Sequence, residues 1–375
     1  MRVLHICEYA KGGVATYLNT IFSRDGEQGI DNYMVLSDYK SEHMWNLPQE
    51  KVQYYNYRRS VWSLFPAILK INRCIKKLNP DVIYCHSTWA GLLGRFPYLF
   101  CRKRIKIIYN AHGWSFNMNI LGWKKHIYAS IERILATVTD KIINVSEYEL
   151  NSAVNIGLQR NKMAMIYNGI SPEKTTVNEK AEMCTDKINL LFVGRFDPQK
   201  GVDFLLKVFD EHVDELKHIH LWVVGDSVVS DGEGIEKKKL DNITFLGWIP
   251  HDKLPAYYEA CDAVIMPSRW EAFGLVAIEA MKYGKPIIAS KRGALPELVK
   301  DDVNGWTFEM DNEYSLLGIL SSLDKLSVNI AGRDGERIFL DRFTDVRMLE
   351  KFNDILGGVF VDRKENTGRT ASWHR

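Results

Sequence analysis

The chain has 375 residues, of which 46% are hydrophobic and 26% charged. That composition excludes wholesale disorder, and the length suits two domains of roughly 150 to 200 residues better than one. The net charge is only +2, but residues 1–170 carry 22 Lys and Arg against 12 Asp and Glu, and residues 51–110 carry twelve basic residues and one acid, Asp81. A one-sided basic half points to an anionic partner, either a membrane surface or a phosphorylated ligand.

The six cysteines, Cys7, Cys74, Cys85, Cys101, Cys184 and Cys261, form no C-x-x-C pair and several lie in apolar runs. Buried free thiols in a reducing compartment fit that pattern, and a zinc site does not. The first residues read as a strand running into glycines, without the apolar stretch of a signal peptide. No run reaches the roughly 18–20 apolar residues of a spanning helix. A cytoplasmic protein is expected, with peripheral attachment to the inner face of the cell membrane as one use for its basic stretch. No nucleic-acid partner is expected.

Taken in order, an apolar strand at 3–7 leads into Lys11-Gly12-Gly13-Val14 and a helical pattern to about Phe22. Strands at 82–85, 106–110 and 142–145 each end in small or polar residues before a helix. After a polar stretch at 171–186, which reads as a linker, strands follow at 188–193, 220–224, 243–246, 263–266 and 286–289. Strand and helix alternate throughout, which is the pattern of a parallel sheet covered on both faces. The fold class is therefore α/β, with two Rossmann-like doubly wound domains at about 1–170 and 187–343 facing a central cleft. An amphipathic helix at about 344–356 is free to pack back on the first domain, and the tail from 357 reads as loose.

Three segments carry chemistry. Gly12 and Gly13 open the first helix, where glycines let a phosphate approach backbone amides, although a tight turn alone would also need them. Phe192-Val193-Gly194-Arg195-Phe196-Asp197-Pro198-Gln199-Lys200-Gly201 delivers Arg195 and Lys200 into one turn, and two cations beside a helix start suit a diphosphate. In the third, residues 266–281, a strand ends at Pro267, a loop carries Glu271, and a helix starts near Gly274 with Glu279 inside it. A carboxylate within an apolar helix needs partners. Ribose hydroxyls would serve Glu279, a sugar would serve Glu271, and the amides of Gly274 and Leu275 would meet the phosphates between them. The plainer reading of Glu279 is a salt bridge to a nearby lysine.

Gly194-Arg195-Phe196-Asp197-x-x-Lys200-Gly201, the Glu271-x7-Glu279 spacing and Arg292-Gly293-Ala294-Leu295-Pro296-Glu297 resemble the retaining glycosyltransferases of family 4, which have the GT-B fold. Asn168-Gly169-Ile170 resembles the family's segment before the linker. The resemblance is dense from Ile142 to Phe308 and looser in the first domain. One departure is Ala294, where the family commonly has a second glycine. The resemblance implies a donor-binding second domain and an acceptor-binding first domain. It assigns Arg195 and Lys200 to the donor diphosphate, Glu271 to the sugar and Glu279 to the ribose. Phe273, Gly274 and Leu275 complete the donor site, and Gly13 lines the diphosphate from the other side. His112, in Ala-His-Gly after the 106–110 strand, falls where the family has a histidine near the reaction centre, to orient the sugar or accept a proton; otherwise it is a hydrogen-bonded core residue.

The implied reaction retains anomeric configuration, with the leaving phosphate taking the acceptor's proton. The chain contains no Asp-x-Asp, so no metal is expected and the cations take its place. A nucleotide-sugar donor and a glycan or lipid-linked acceptor are the expected partners. Arg58, Arg59, Trp62 and Phe65 pair cations with aromatics, which suits an interfacial helix on anionic lipid; ordinary solvated charge is the alternative. A nucleotide-sugar 2-epimerase of the same architecture, or a non-catalytic nucleotide-sugar-binding protein, are the competing functions.

Overall fold

A computed structural model describes residues 1–101, 105–175, 181–226 and 240–368. The chain divides into two compact units, Met1–Gly169 together with the segment that begins at Asp345, and Ile170–Thr344. Residues 176–180 of the expected linker lie outside the described residues.

Unit 1 runs β1 (Arg2–Cys7), α1 (Gly13–Phe22), β2 (Asp31–Ser37), β3 (Val52–Tyr55), α2 (Val61–Leu78), β4 (Val82–His86), α3 (Thr88–Arg95), β5 (Lys106–Asn110), α4 (Gly122–Ala136), β6 (Lys141–Asn144), α5 (Glu147–Asn155) and β7 (Met163–Met165). The strands form one parallel sheet of order β3-β2-β1-β4-β5-β6-β7. Alternate residues face opposite sides. Leu4, Ile6, Ile83 and Cys85 face a core with Ala67, Ile71 and Leu93 of α2 and α3. Val3, Cys7, Val82 and Tyr84 face one with Tyr17, Leu18 and Phe22 of α1.

Unit 2 runs β8 (Ile188–Val193), α6 (Val202–Glu211), β9 (Ile219–Val224), β10 (Ile243–Gly247), α7 (Leu254–Ala260), β11 (Ala263–Met266), α8 (Leu275–Lys282), β12 (Ile287–Ser290), α9 (Leu295–Leu298), β13 (Gly305–Phe308), α10 (Glu313–Ser322) and α11 (Lys325–Arg342). Its parallel sheet has the order β10-β9-β8-β11-β12-β13. In both sheets the order reverses beside the unit's first strand, between β1 and β4 and between β8 and β11. Ligands of open α/β sheets bind at such switch points, beyond the carboxyl ends of the strands.

The last helix, α12 (Asp345–Gly368), buries Met348, Leu349, Phe352 and Leu356 in the α1-side core of unit 1. It continues past 357, where a loose tail is expected from sequence. Gly357 and Gly358 each cost a helix about 1 kcal/mol relative to Ala, and the helix carries through them. Three strands of unit 1 and one of unit 2 escape the sequence reading: β2, β3, β7 and β13. The last three are four residues or shorter, too brief for a periodic signal. β3 and β13 have aromatic or polar residues inside them, β7 is Met-Ala-Met, and in each a neighbouring strand supplies the pairing. All six cysteines are free thiols, with Cys7, Cys74, Cys85 and Cys261 buried. Among the described residues, no helix is long and apolar enough to cross a membrane.

Candidate active site

In unit 2 the loops after β8 and β11 flank the switch point. Arg269 stitches them together. Its amide donates to Gln199 O at 2.8 Å, and its guanidinium reaches Pro198 O at 2.8 Å and Asp203 at 2.8 and 2.5 Å. The approach is so close that Gly201, at φ +67°, has no room for a side chain: a Cβ would lie 1.9 Å from Pro267 O. Glycine is required there on both counts.

Stitching brings Lys200 Nζ within 2.7 Å of Glu271 Oε2, and the two side chains are 19% and 11% exposed. Ser268 Oγ donates to the same oxygen at 3.3 Å. Arg195 is exposed at the rim of the loop, 2.9 Å from Asp197 and 3.4 Å from Gln199 Oε1. Sequence spacing paired Lys200 with Arg195, whereas in the fold its short-range partner is Glu271.

The third loop follows β12. Gly293 takes φ +59°, and a Cβ on it would lie 2.1 Å from Glu271 O. Ala294 sits at φ −82°, buried, with its amide donating to the same oxygen at 2.9 Å. The departure from a second glycine is therefore accommodated, because only the first position needs the left-handed region.

Glu279 lies on α8 and accepts from Tyr258 Oη at 2.8 Å, with His251 Nε2 at 3.3 Å from its other oxygen. Its recorded partners are thus a phenol and an imidazole, not the lysine of the plainer reading. Burial and the neighbouring carboxylate push the Tyr258 pKa well up, so the phenol stays a donor. Two of about four acceptor positions on the carboxylate are engaged. The side chain of Phe273 is 3% exposed and meets Phe343 edge-on at 6.0 Å. It belongs to the core, and what it offers at the mouth of α8 is backbone.

Several helices have no side-chain cap at their starts, among them α4, α7 and α9 after Leu121, Lys253 and Ala294, but those behind the loops of Gly12, Lys200 and Glu271 start at a glycine. Helices α2, α3, α5, α10 and α11 are capped by side chains of Ser60, Ser87, Ser146, Asn312 and Asp324. Helices α1, α6 and α8 instead start after Gly12, Gly201 and Gly274, all at positive φ and with no side-chain cap. Side-chain caps satisfy first-turn amides. Glycine caps leave that role to another acceptor, and the positive end of the helix dipole favours an anion.

In unit 1 the switch point is flanked by the Gly12-Gly13 turn and by His86, at the end of β4. Gly12 N donates to Glu42 Oε1 at 3.1 Å. His112 follows β5 in a left-handed conformation, φ +52°, unusual for a residue with a side chain, and its amide donates to Asn110 Oδ1 at 2.9 Å. Its Nε2 lies 2.9 Å from His86 Nδ1, a contact that the alternative of a hydrogen-bonded core residue also contains. Burial lowers its pKa to about 3. Sequence reasoning missed His86, Ser268, Tyr258 and Gln199. Of these His86 alone had a signal, a histidine closing an otherwise apolar strand.

Of the basic stretch 51–110, Arg59 is taken up by Glu8, at 2.6 and 3.0 Å, and Arg95 is fully buried against Glu132 at 2.7 Å. Arg95 is therefore closed to an outside partner, whereas the Arg59 side chain, paired with Glu8, remains half exposed. Arg102, Lys103 and Arg104 lie outside the described residues. On α2, however, Trp62, Phe65, Leu69, Lys70, Arg73, Lys76 and Lys77 share one exposed face, with Trp62 92% and Phe65 68% exposed.

Among the described residues, Glu211, His212 and Glu313 form a group whose ligand atoms lie close enough for a metal. Lys207 Nζ already sits 2.7 Å from Glu313 and 3.4 Å from Glu211. The group is at the far end of α6 from Lys200, about 15 Å along a ten-residue helix.

Two families match the chain: "Glycosyltransferase Family 4" over residues 11–174 and "Glycosyl transferases group 1" over residues 173–323. A Klebsiella pneumoniae protein described as an uncharacterized 41.2 kDa protein in the cps region is 38% identical, over 86% of this chain and 90% of that one. The Escherichia coli UDP-Gal:alpha-D-GlcNAc-diphosphoundecaprenol alpha-1,3-galactosyltransferase is 23% identical over 79% and 80%. Among solved structures, Anabaena HepE in complex with UDP-glucose superposes with a TM-score of 0.76 at 20% identity, covering 96% of this chain and all of that one. Thermosynechococcus elongatus sucrose-phosphate synthase gives 0.78 at 18%, covering 96% and 99%. With residues 11–323 covered by these two families in succession and its two parallel sheets shared with these structures, the chain belongs to the glycosyltransferases of the family 4 type and has the GT-B fold.

Proposed function

We propose that this glycosyltransferase moves a hexose-type sugar, with retention and without a metal, from a nucleotide-diphosphate sugar to a glycan or lipid-linked acceptor. Polysaccharide, O-antigen or glycolipid synthesis is the setting. The observation that carries this reading is the Lys200–Glu271 pair at the switch point of unit 2, beside uncapped helix starts. An ammonium has three donors, so Lys200 can keep Glu271 in place and still meet a diphosphate oxygen. Glu271, anchored by Lys200 and Ser268, accepts from sugar hydroxyls. Glu279, steadied by Tyr258, takes the ribose. Arg195 at the rim forks to the diphosphate. The family resemblance assigns Gly13 and His112 of unit 1 to the diphosphate and the sugar.

In the reaction the bond from the sugar's anomeric carbon to the phosphate oxygen breaks, and the acceptor oxygen bonds to that carbon on the same face. The acceptor's proton passes to the departing phosphate. Negative charge grows on that phosphate, and cations and amides fixed beforehand act most strongly where charge develops. The relative from Escherichia coli acts on a diphosphoundecaprenol-linked sugar by its name, which supports a lipid-linked acceptor. The exposed face of α2 supports a membrane-borne one: it presents Trp62, Phe65 and Leu69 beside Lys70, Arg73, Lys76 and Lys77, apolar and cationic groups that an anionic lipid surface would both engage. Location on the inner face of the cell membrane follows from that reading.

The test is a panel of nucleotide sugars scored by thermal stabilisation, which follows RT ln(1+[L]/Kd), then transfer in excess chelator with the product's anomeric configuration read by NMR. Stabilisation by no nucleotide sugar, loss of activity in chelator, or an inverted product would each overturn the corresponding part.

A further inference from the structure

A row of hydrogen bonds runs through the buried interior of unit 1, from His112 to the start of β2. His112 Nε2 is 2.9 Å from His86 Nδ1, His86 Nε2 is 3.0 Å from His5 Nδ1, and His5 Nε2 is 3.0 Å from Asn32 Oδ1. The amide nitrogen Nδ2 and the backbone N of Asn32 both donate to Asp25 Oδ1, at 3.0 and 2.8 Å. Lys51 Nζ holds the other carboxylate oxygen at 2.6 Å. Strand register builds the row. His86 on β4 pairs with Cys7 on β1, which puts it diagonal to His5 on the same face, and with Asn110 on β5, two residues before His112. The other polar groups on that face, Tyr84 and Asn110, bond to each other and to Tyr17 of α1. The ring of Phe22 lies edge-on to His5 at 5.0 Å and that of Tyr17 edge-on to His112 at 4.7 Å. His5, His86 and Asn32 are at most 2% exposed.

The hydrogens along this row follow from donors and acceptors alone. A carboxylate only accepts, so Asn32 must turn Nδ2 to Asp25 and Oδ1 to His5. His5 Nε2 faces an acceptor and carries the hydrogen. A neutral imidazole has one, so His5 Nδ1 accepts, and His86 Nε2 is the donor to it. The same step repeated puts the hydrogen of His112 on Nε2 and leaves the lone pair on Nδ1. The rings are neutral near pH 7: burial lowers His5 to about 4 and His112 to about 3, and burial with its two histidine neighbours takes His86 well down.

We propose that Asp25, Asn32, His5 and His86 are positioning residues that hold His112 in its Nε2–H tautomer, so that the partly exposed ring offers Nδ1 to the substrate as a hydrogen-bond acceptor. This rests on the reading of His112 as a residue at the donor sugar, and it decides what His112 does there. The ring accepts a hydrogen bond from a sugar hydroxyl and orients it. It neither donates to the sugar nor carries a proton through the reaction. The role of a second partner in selecting which imidazole nitrogen is protonated is general; here the selection is passed through two further rings and Asn32 from a carboxylate in the turn after α1.

The test is long-range nitrogen NMR of the full-length protein with labelled histidine, assigned by single replacements. At pH 7, His5, His86 and His112 are each expected as the neutral Nε2–H form. A Nδ1–H form at any of the three overturns the proposal. Asn32→Ala removes the acceptor that anchors the row, and the Nδ1 resonance of His112 should move towards the average of two tautomers. An unmoved resonance overturns the coupling. His86→Phe keeps ring volume but gives Nε2 of His112 no acceptor, and kcat/KM should fall roughly tenfold, the value of about one hydrogen bond. Should that variant not fold, the wild-type and Asn32→Ala spectra still decide. Wild-type transfer by His112→Ala would overturn the placement of His112 at the sugar. Impaired transfer by His112→Ala beside unimpaired transfer by folded His86→Phe would overturn the positioning row alone.

Discussion

Lys200 Nζ and Glu271 Oε2 stand 2.7 Å apart although the two residues come from different loops and are 71 positions apart in the chain. Each is mostly buried, so each needs the other before any substrate arrives. Lys200→Ala should therefore cost more than a diphosphate contact. It leaves Glu271 without its cation, and transfer should fall by about 10²-fold or more. In a double-mutant cycle, Lys200→Ala and Glu271→Gln should be strongly non-additive. Additive losses would mean that the two act separately.

The two glutamates should fail differently. Glu279 is assigned to the ribose, which does not change during the reaction, so Glu279→Gln should raise the donor KM and weaken free nucleoside diphosphate. Glu271 is assigned to the sugar, whose ring gains positive charge, so Glu271→Gln should lower kcat and leave nucleoside diphosphate affinity nearly unchanged. Equal loss of nucleotide affinity in both, measured calorimetrically, would abolish the division.

Gly201 and Gly293 hold the loops together by allowing close approach. Gly201→Ala would place a Cβ 1.9 Å from Pro267 O, and Gly293→Ala one 2.1 Å from Glu271 O, both at positive φ. Each should destabilise by at least about 1–3 kcal/mol, and activity should fall with the geometry of Glu271. Gly318→Ala is the control, because a Cβ there meets nothing within 4 Å. Thermal melts that leave all three alike would contradict the close contacts.

Stability should fall on mild acidification. His5 titrates at about 4 in the fold, against 6.5 for the ordinary group, because burial disfavours its cation. Between those values the unfolded chain binds a proton that the folded chain refuses. The contribution is therefore intact above pH 6.5 and is lost as the pH falls from there towards 4. From pH 6.5 to 5 this amounts to about 2 kcal/mol for His5, and the lowered pKa values of His86 and His112 act with the same sign. Denaturant unfolding at pH 7 and pH 5 measures it, and an unchanged midpoint would contradict the buried neutral rings.

The exposed face of α2 should bind anionic vesicles, and salt should weaken binding through the part owed to Lys70, Arg73, Lys76 and Lys77, at about 1 kcal/mol per residue. Trp62→Ser with Phe65→Ser should weaken it with little change in melting temperature, since both rings are largely exposed already. Equal binding to neutral and anionic vesicles would leave these residues as ordinary surface.

Local pattern was enough for much of this protein. Alternating strand and helix spelled out two parallel sheets, because a strand buried on both faces must be continuously apolar. Glycines at 12, 201 and 274 marked the helix starts where backbone conformation admits little else. Arg195, Lys200, Glu271 and Glu279 announced themselves as charges at strand ends and in an apolar helix. Partnerships were another matter. That Lys200 faces Glu271, that Glu279 rests on Tyr258, and that His5, His86 and His112 form one row all depend on strand order and register. These bring together residues tens of positions apart, and a chain read along its length has no term for that distance. The turn of Phe273 into the core is likewise set by Phe343, 70 residues away. Sequence determined which groups the chain carries to its loops; tertiary packing alone decided which of them meet, because burial makes each charged or polar side chain answer to its neighbours in space.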